Sequence, residues 1–184
     1  MVAGSILPIS FNHNKELCFL FGKENPMEDS AKGYSDFGGG LEKGETPFQG
    51  ALREGSEELT GFLGNKKELR KLIKNNGGVY HVLLGTYHIH MFHLPYDENL
   101  PKYYNQNHMF LWNKMDKHLL NNSKLFEKIE IQWFTIKEMK EQTHAFREFY
   151  REMVQYFIEH ENEIIAFLNK TNNKHNKTRK HIRH

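Results

Sequence analysis

Three carboxylates are grouped at helical spacing within one short segment. Glu54, Glu57 and Glu58 would share an arc of about 100° on a helix. Such like-charged neighbours destabilise a helix slightly, so folding gives no reason to group them. Mg²⁺ gives a reason, because it binds carboxylate oxygens and usually keeps waters and substrate phosphates as further ligands. An ordinary acidic solvent face is the alternative, but the preceding Gly38–Gly40 run, which should break regular structure and let backbone approach a ligand, favours a binding site.

The helix that carries these acids has recognisable ends. Thr46 is a good N-cap, Pro47 suits the first helical position and Gln49 completes a capping box. Gly61 is a natural residue just beyond the C-terminus. The sequence therefore predicts a helix from Pro47 to Thr60. Its buried stripe is predicted to be Phe48, Ala51, Leu52, Gly55 and Leu59.

The same segment resembles the Nudix box, Gly-x5-Glu-x7-Arg-Glu-U-x-Glu-Glu-x-Gly-U, where U is a bulky aliphatic residue. The matching positions keep the spacing of the box: Gly39, Glu45, Arg53, Glu54, Glu57 and Glu58. Gly55 stands where a bulky aliphatic residue is usual, which predicts thinner packing under the helix. Thr60-Gly61 places the closing glycine one residue late, which shifts only the helix end.

The Nudix resemblance implies a fold and a reaction. It implies an α/β/α sandwich with a mixed β-sheet between helices, here over residues 1–168, and hydrolysis of the diphosphate linkage in a nucleoside diphosphate derivative. A catalytically silent module that binds a nucleotide or RNA is the alternative. The presence of all three helical glutamates favours the enzyme.

Residue roles follow from the same resemblance. It implies Mg²⁺ or Mn²⁺ held by Glu54, Glu57, Glu58 and the backbone carbonyl of Gly39. One of these glutamates, or a carboxylate from another loop, would take the proton of the attacking water. Arg53 would orient the carboxylates, and Glu45 would pair with Arg53.

Further candidates lie outside the box. Family members often supply a distal carboxylate from the loop before a later strand, and Glu127, six residues before Trp133, is the choice here, with Glu130 in reserve. Two surface acids flanking a strand are the alternative. Lys23 and Lys32 flank the loop before the glycines and are candidates for binding substrate phosphates, although ordinary exposed lysines would look the same.

Aromatic and histidine residues cluster in the middle of the chain. Tyr103, Tyr104, Phe110 and Trp112 lie in or beside a loop predicted between Pro95 and Asn107. Aromatic rings there could stack on a base, with Trp112 the substrate-binding candidate, or form the small core of a lid. Four histidines crowd the next-earlier segment: His81, His88, His90 and His93. His88 and His90 are two residues apart, so they would face the same side of a strand. That arrangement could bind a transition metal, but contact with solvent or substrate is favoured.

The elements around the box predict a layered α/β domain. The predicted strands are Ser5–Phe11, Glu16–Gly22, Val79–Leu94 (one long strand or a pair) and Ile129–Ile136. Residues from Lys23 to Lys32 form a predicted loop. An apolar stripe from Ala145 to Leu168, including Phe146, Phe149 and Phe157, predicts one helix packed on the sheet.

Composition limits the class of protein. With 184 residues the chain is expected to form one domain, and no apolar run approaches the length of a membrane span. A single cysteine excludes an intramolecular disulfide and a zinc site built on several thiolates. We read no signal peptide, so the cytoplasm or nucleus is expected and a secreted or membrane location is not.

The charge is unevenly distributed. Residues 169–184 hold six of the 25 Lys and Arg residues and no acid, so they form a predicted basic tail on a mildly acidic body. The tail would contact RNA phosphates or be a solvated, disordered end. Together with the aromatic loop and the strand after Glu127, it resembles mRNA-decapping members of the Nudix family, which implies a capped RNA substrate. The Asp36–Gly40 start and the Asn- and Lys-rich composition resemble Nudix proteins of large DNA viruses, and a diphosphoinositol polyphosphate is another phosphate-dense possibility.

Overall fold

The computed structural model describes residues 1–25, 32–116, 118–119 and 127–181, with side chains described as far as Thr171 in the last helix. Within these residues the strands are β1 (Ala3–Phe11), β2 (Leu17–Glu24), β3 (Tyr34–Ser35), β4 (Phe37–Gly40), β5 (Val79–Leu84), β6 (Tyr87–His93) and β7 (Lys128–Thr135). The α-helices are α1 (Pro47–Glu58), α2 (Lys66–Asn75), α3 (Asn99–Lys114), α4 (Ile136–Glu141), α5 (Arg151–Glu159) and α6 (Glu161–His181). None of the helices in these ranges is both long and apolar enough to cross a bilayer.

The strands form one mixed sheet around β1. β1 runs parallel to β6 and antiparallel to β2 and β4, and β5 pairs with β6 as a hairpin. One edge of β1 is shared, because its first half pairs with β4 and its second half with β2. β2 continues to β3 on that side and pairs with β7 on its other side. This division of the edge places the glycine strand β4 directly against α1.

Helices cover both faces of the sheet. One apolar core joins the sheet to α1, α2 and α3 through residues such as Ile6, Leu52 and Tyr104. The other core joins the opposite face to α4, α5 and α6, through residues such as Phe19 and Phe157. The predicted α/β class, with a mixed sheet between helical layers, is confirmed.

The sequence predicted that the Gly38–Gly40 run would break regular structure, and this prediction is wrong. Phe37–Gly40 forms β4, whose residues pair antiparallel with Ala3–Ile6 of β1. A Cβ on Gly38 would lie 2.5 Å from Cα of Ser5, which real structures do not tolerate. Glycine at position 38 permits the close approach of β4 to β1. β4 remains a regular strand because β1 supplies its backbone hydrogen-bond partners.

The other unusual glycine, Gly55, has a packing reason. A Cβ there would lie 2.5 Å from Cγ1 of Ile6 and closer still to its Cδ1. Ile6 is fully buried and fills the space that a bulky aliphatic residue at position 55 would occupy. The expectation of thinner packing under the helix is therefore wrong, because β1 supplies the missing side chain.

We predict that Gly55→Ala lowers the free energy of unfolding by about 1–3 kcal/mol, the usual effect of overpacking a core. Alanine favours a helix over glycine by about 1 kcal/mol, so helix propensity alone predicts the opposite sign. Urea unfolding monitored by circular dichroism measures the change. Adding Ile6→Val, which removes the clashing Cδ1, should recover part of the loss; a stabilised Gly55→Ala protein would contradict the packing assigned here.

The loop predicted between Pro95 and Asn107 is largely helical. Most of it belongs to α3, where Tyr104 and His108 are spaced one turn apart and buried. Pro101 did not prevent the helix because it lies in the first turn, where a backbone N–H has no acceptor within the helix. The Tyr104 hydroxyl donates to the backbone oxygen of Glu58 at 2.8 Å and so fixes α3 against the end of α1.

The single helix predicted from Ala145 to Leu168 is also wrong. A 3₁₀ turn at Glu148–Tyr150 leads into α5, and the chain bends at His160 before α6. Nδ1 of His160 lies 2.9 Å from the backbone oxygen of Tyr156, so the side chain meets a carbonyl at the end of α5. Phe149, predicted to be core, is 46% exposed and lies against the guanidinium of Arg147.

The last helix crosses the predicted end of the domain. α6 continues from Glu161 to His181, so its backbone runs through the boundary predicted between residues 168 and 169. Thr171 is buried, and a Cβ on Gly77 would lie 2.5 Å from its Cγ2. Residues 182–184 of the predicted basic tail, and residues 26–31 of the predicted Lys23–Lys32 loop, lie outside the described ranges.

Candidate active site

The start of α1 follows the sequence closely. The Thr46 hydroxyl accepts from the backbone N–H of Gln49, and the Gln49 side chain accepts from the backbone N–H of Thr46 at 2.9 Å, so the predicted capping box is confirmed. The helix ends at Glu58, two residues earlier than predicted. Thr60 and Gly61 have φ angles of 48° and 76°, a left-handed pair that turns the chain away.

Arg53 joins the helix to the segment that precedes it. Its guanidinium lies 3.1 Å from Oε2 of Glu45, 2.8 Å from Oε1 of Glu54 and 3.0 Å from the carbonyl oxygen of Gly40. The hydrogen bond from Arg53 lowers the pKa of Glu45 to about 2, so the pair is fully ionised at neutral pH. The expected Arg53–Glu45 pair is present, and it holds Glu54 beside the glycine strand.

Two of the three helical glutamates lie against that strand. A Cβ on Gly39 would be 2.7 Å from Oε1 of Glu54, so a larger residue there would displace this carboxylate from its present position. Glu58 accepts a hydrogen bond of 2.9 Å from the backbone N–H of Gly38. Glu57 lies one turn beyond Arg53, with 3.7 Å between its Oε2 and the guanidinium. The side chains of Glu54, Glu57 and Glu58 are 14%, 34% and 6% exposed, so solvent reaches the group mainly at Glu57.

A buried lysine behind Glu58 was not predicted. Lys128, at the start of β7, has a side chain only 1% exposed, with its Nζ 3.4 Å from Oε1 of Glu58 and 3.0 Å from Oγ of Ser35. Nζ also forms an ion pair with Glu24, which in turn lies 2.6 Å from the guanidinium of Arg147. Burial raises the pKa of Glu58 to about 8, while the Lys128 ammonium acts in the opposite direction. The sequence gives no signal for this network, because a lysine at a strand end is usually solvent-exposed.

Another buried carboxylate, that of Asp36, lies at the break between β3 and β4. Asp36 accepts hydrogen bonds from the hydroxyls of Ser5 and Tyr87, the latter at 2.6 Å. Burial raises the pKa of Asp36, while these hydrogen bonds oppose the rise. Asp36 thus holds β1, β6 and the strand break together behind the glycine run.

The donor atoms suit Mg²⁺ or Mn²⁺. The carboxylate oxygens of Glu54, Glu57 and Glu58 and the carbonyl of Gly39 are hard oxygen ligands. Across the described ranges, no three His, Cys, Asp or Glu side chains are already gathered as a metal-binding group. Glu54 is held by Arg53 and Glu58 by Lys128, so a divalent cation would have to compete with protein cations for these carboxylates. The residues fit the ion in type, and two of them, Glu54 and Glu58, lie beside the glycine strand, although the group is not preassembled around an ion.

The acidic and basic candidates outside the box differ in their surroundings. Glu127 precedes Lys128 directly, and its charge contributes to raising the pKa of Glu58, so it belongs to the surroundings of the helical acids. Glu130, the reserve candidate, accepts from the Tyr34 hydroxyl at 2.7 Å and pairs with Lys23 at 3.3 Å. Lys23 is therefore engaged with an acid, whereas Lys32 is exposed beside the undescribed residues 26–31.

The aromatic candidates separate into two groups. Tyr104 is buried and structural, as its contact with the end of α1 shows. Tyr103, Phe110 and Trp112 lie on α3 with 57%, 61% and 36% of their surface exposed. The role of Trp112 in binding substrate stays a prediction.

Comparisons with known proteins give little further guidance. The chain matches no protein-family model and no curated protein. Among solved structures it is similar to a NUDIX hydrolase from Nitrosomonas europaea, with 19% sequence identity, 88% of each chain covered and a TM-score of 0.43. A likeness at this level carries no argument about activity.

Proposed function

We propose that this protein is a divalent-cation-dependent hydrolase of diphosphate linkages, of the Nudix type. One observation carries the proposal: Glu54 and Glu58 lie against the Gly38–Gly39 backbone, and Glu57 lies beside Arg53 on the same helix. The spacing of these residues is that of the Nudix box, and the Arg53–Glu45 pair has the position that the resemblance implies.

The chemical task is to bring water to a phosphorus atom shielded by anionic oxygens. A bound divalent cation would neutralise that charge and lower the pKa of a coordinated water. Glu54, Glu57 and Glu58 would hold the cation through carboxylate oxygens, and Gly39 through its carbonyl. Arg53 keeps Glu54 in place, and the Lys128 ammonium opposes the effect of burial, which raises the pKa of Glu58.

Hydrolysis transfers one proton from the water and releases one phosphate leaving group. As the water oxygen bonds to phosphorus, the bond from phosphorus to the bridging oxygen breaks and the departing phosphate carries its electron pair. A carboxylate takes the proton of the water, either one of the helical glutamates or Glu127, whose charge is felt at Glu58. Interacting carboxylates of this kind share their titration, so the base is best assigned to the group.

We propose a nucleoside diphosphate derivative as the substrate, with capped RNA as the member to test first. The exposed rings of Tyr103, Phe110 and Trp112 on α3 offer stacking surfaces, and residues 169–184 offer positive charge. A phosphate-binding role for this segment predicts that its removal weakens RNA affinity most at low salt.

The test is a panel of diphosphate compounds incubated with Mg²⁺ and, separately, with Mn²⁺. The panel contains capped RNA, nucleoside triphosphates, nucleotide sugars and diphosphoinositol polyphosphates, with products identified by mass spectrometry. We expect cation-dependent cleavage of at least one class into two phosphate-bearing products. Binding of a nucleotide or RNA without turnover of any compound would favour the silent module instead.

A further inference from the structure

The exposed face of α2 is strongly basic. The helix, Lys66–Asn75, carries five basic residues and a single acid. The side chains of all five basic residues are exposed, and we call them the α2 strip: Lys66, Lys67, Arg70, Lys71 and Lys74. At about 100° per residue, the last four lie within an arc of about 100°, on the side away from the buried apolar residues of α2. α2 therefore presents a row of like charges to solvent.

Folding gives no reason to gather these charges. Lys66 and Lys67 occupy the first turn of α2, where the helix dipole disfavours cations. Like charges four residues apart, such as Lys67 and Lys71, also destabilise a helix. Within the described part of the chain, only Lys66 of the α2 strip has an ion pair, with Glu45. α2 forms in spite of the strip, because Asn65 caps its N-terminus and its apolar face is buried.

A chain of ion pairs joins the start of the α2 strip to the acids of α1. Nζ of Lys66 lies 3.5 Å from Oε1 of Glu45, and Oε2 of Glu45 lies 3.1 Å from the guanidinium of Arg53. The same guanidinium lies 2.8 Å from Oε1 of Glu54. The strip thus begins three ion pairs away from Glu54. An open cleft of about 450 Å³ lies between the two helices here, lined by Gln49, Leu52, Asn65, Lys66, Lys67 and Arg70.

The far end of the α2 strip lies beside the basic residues 169–184. Gly77 follows α2 by two residues, and a Cβ on it would lie 2.5 Å from Cγ2 of Thr171. Thr171 is buried, and Lys170 before it is exposed. α2 shares its core with α1, whereas α6 packs on the opposite face of the sheet. Of these two neighbouring basic regions, the α2 strip is therefore the one in the same layer as the acids.

We propose that the α2 strip binds the phosphate backbone of single-stranded RNA, so that RNA with its 5′ end at the acids of α1 extends along α2 towards residues 169–184. Regularly spaced phosphates match a row of like positive charges, and each contact releases counterions from the strand. Such contacts position the strand without reading its bases. The placement of the 5′ end rests on the proposed hydrolase function, whereas binding of the strand to α2 does not.

The packing of α2 favours a nucleic acid over an anionic membrane. A helix that lies on a membrane buries its apolar face in the lipid. The apolar residues Leu69 and Ile73 of α2 are 0% and 2% exposed, because they pack in the core shared with α1. Only the charged face of α2 is available to a partner, which suits phosphates in solution.

The test is the affinity of the full chain for a labelled, uncapped single-stranded RNA, measured by fluorescence anisotropy in EDTA over a range of salt concentrations. The double variant Lys67→Gln/Lys71→Gln should bind at least about tenfold more weakly at low salt. Its plot of log affinity against log salt should be shallower by about 1.4, since each phosphate contact on a single strand contributes about 0.7. The matched control is Lys137→Gln/Lys140→Gln, which removes two exposed lysines from α4 on the opposite face and should bind as the wild type does.

Three results would overturn the RNA-binding surface. The first is equal RNA affinity and salt dependence in all three proteins, with native circular dichroism. The second is an equal loss of affinity in both double variants, which would trace binding to net charge alone. The third is binding of the wild type to vesicles of phosphatidylcholine and phosphatidylserine but not to RNA, which would make α2 a membrane contact. The measurement involves no turnover, so failure of RNA binding and failure of the proposed hydrolase activity are separate results.

Discussion

Glu57→Gln should lower kcat for the best diphosphate substrate by a factor of roughly 10²–10⁴, the scale of losing a catalytic acid–base or charge-stabilising group. The amide keeps the size of the side chain but removes the negative charge that would hold a divalent cation. Glu57 is the most exposed of the three helical glutamates, at 34%, so the change should disturb folding least. Steady-state rates in Mg²⁺ and in Mn²⁺ measure the effect.

The matched control for this variant is Glu152→Gln. Glu152 is an exposed glutamate in the first turn of α5, on the opposite face of the sheet from α1. Its amide variant should retain the wild-type rate. If Glu57→Gln also retains that rate, the carboxylates of α1 do not carry the reaction.

Lys128→Met should lower the free energy of unfolding by about 3–5 kcal/mol, the usual cost of removing one partner from a buried ion pair. Methionine fills a similar volume, so the loss reflects mainly Glu58, left buried without the ammonium that lies 3.4 Å away. The loss of the ammonium affects Glu24 less, since the guanidinium of Arg147 remains beside it. Urea denaturation at pH 7 measures the change.

Two further variants, one at a surface lysine and one double variant, test whether the loss of stability comes from the buried ion pair. Lys137→Met removes a side chain that is 79% exposed and 4.0 Å from Glu141, and such surface pairs contribute at most about 1 kcal/mol. Adding Glu58→Gln to Lys128→Met should restore part of the lost stability, because a neutral amide needs no ammonium beside it and its oxygen can still accept from the backbone N–H of Gly38. A Lys128→Met protein as stable as Lys137→Met would show that the buried network contributes nothing to the fold.

Local patterns made much of α1 and its partners predictable. The capping box at Thr46 and Gln49 uses contacts within one turn, and these depend little on the rest of the fold. The Arg53–Glu45 pair joins residues eight apart, which the helix start brings together. Short apolar runs located β1, β2 and β7, and the hairpin of β5 and β6 resolves the ambiguity left by the run from Val79 to Leu94.

Contacts between residues distant in sequence account for most of what sequence reasoning missed. Lys128 and Glu24 are 104 residues apart, and neither has a local feature that distinguishes it from a surface residue. Ile6 explains Gly55 only once β1 is known to lie under α1. The Tyr104 hydroxyl donates to a carbonyl oxygen of α1 and so stabilises α3. This contact outweighs the local preference for a loop of the prolines and asparagines in the segment.

The most direct measurement is Mn²⁺ binding in the absence of substrate, followed by electron paramagnetic resonance on the wild type, Glu57→Gln and Glu152→Gln. If the acids of α1 bind a divalent cation beside Gly39, Glu57→Gln should bind Mn²⁺ at least about tenfold more weakly, while Glu152→Gln binds it as the wild type does. Equal Mn²⁺ affinity in all three proteins would contradict the assignment of these glutamates as metal ligands.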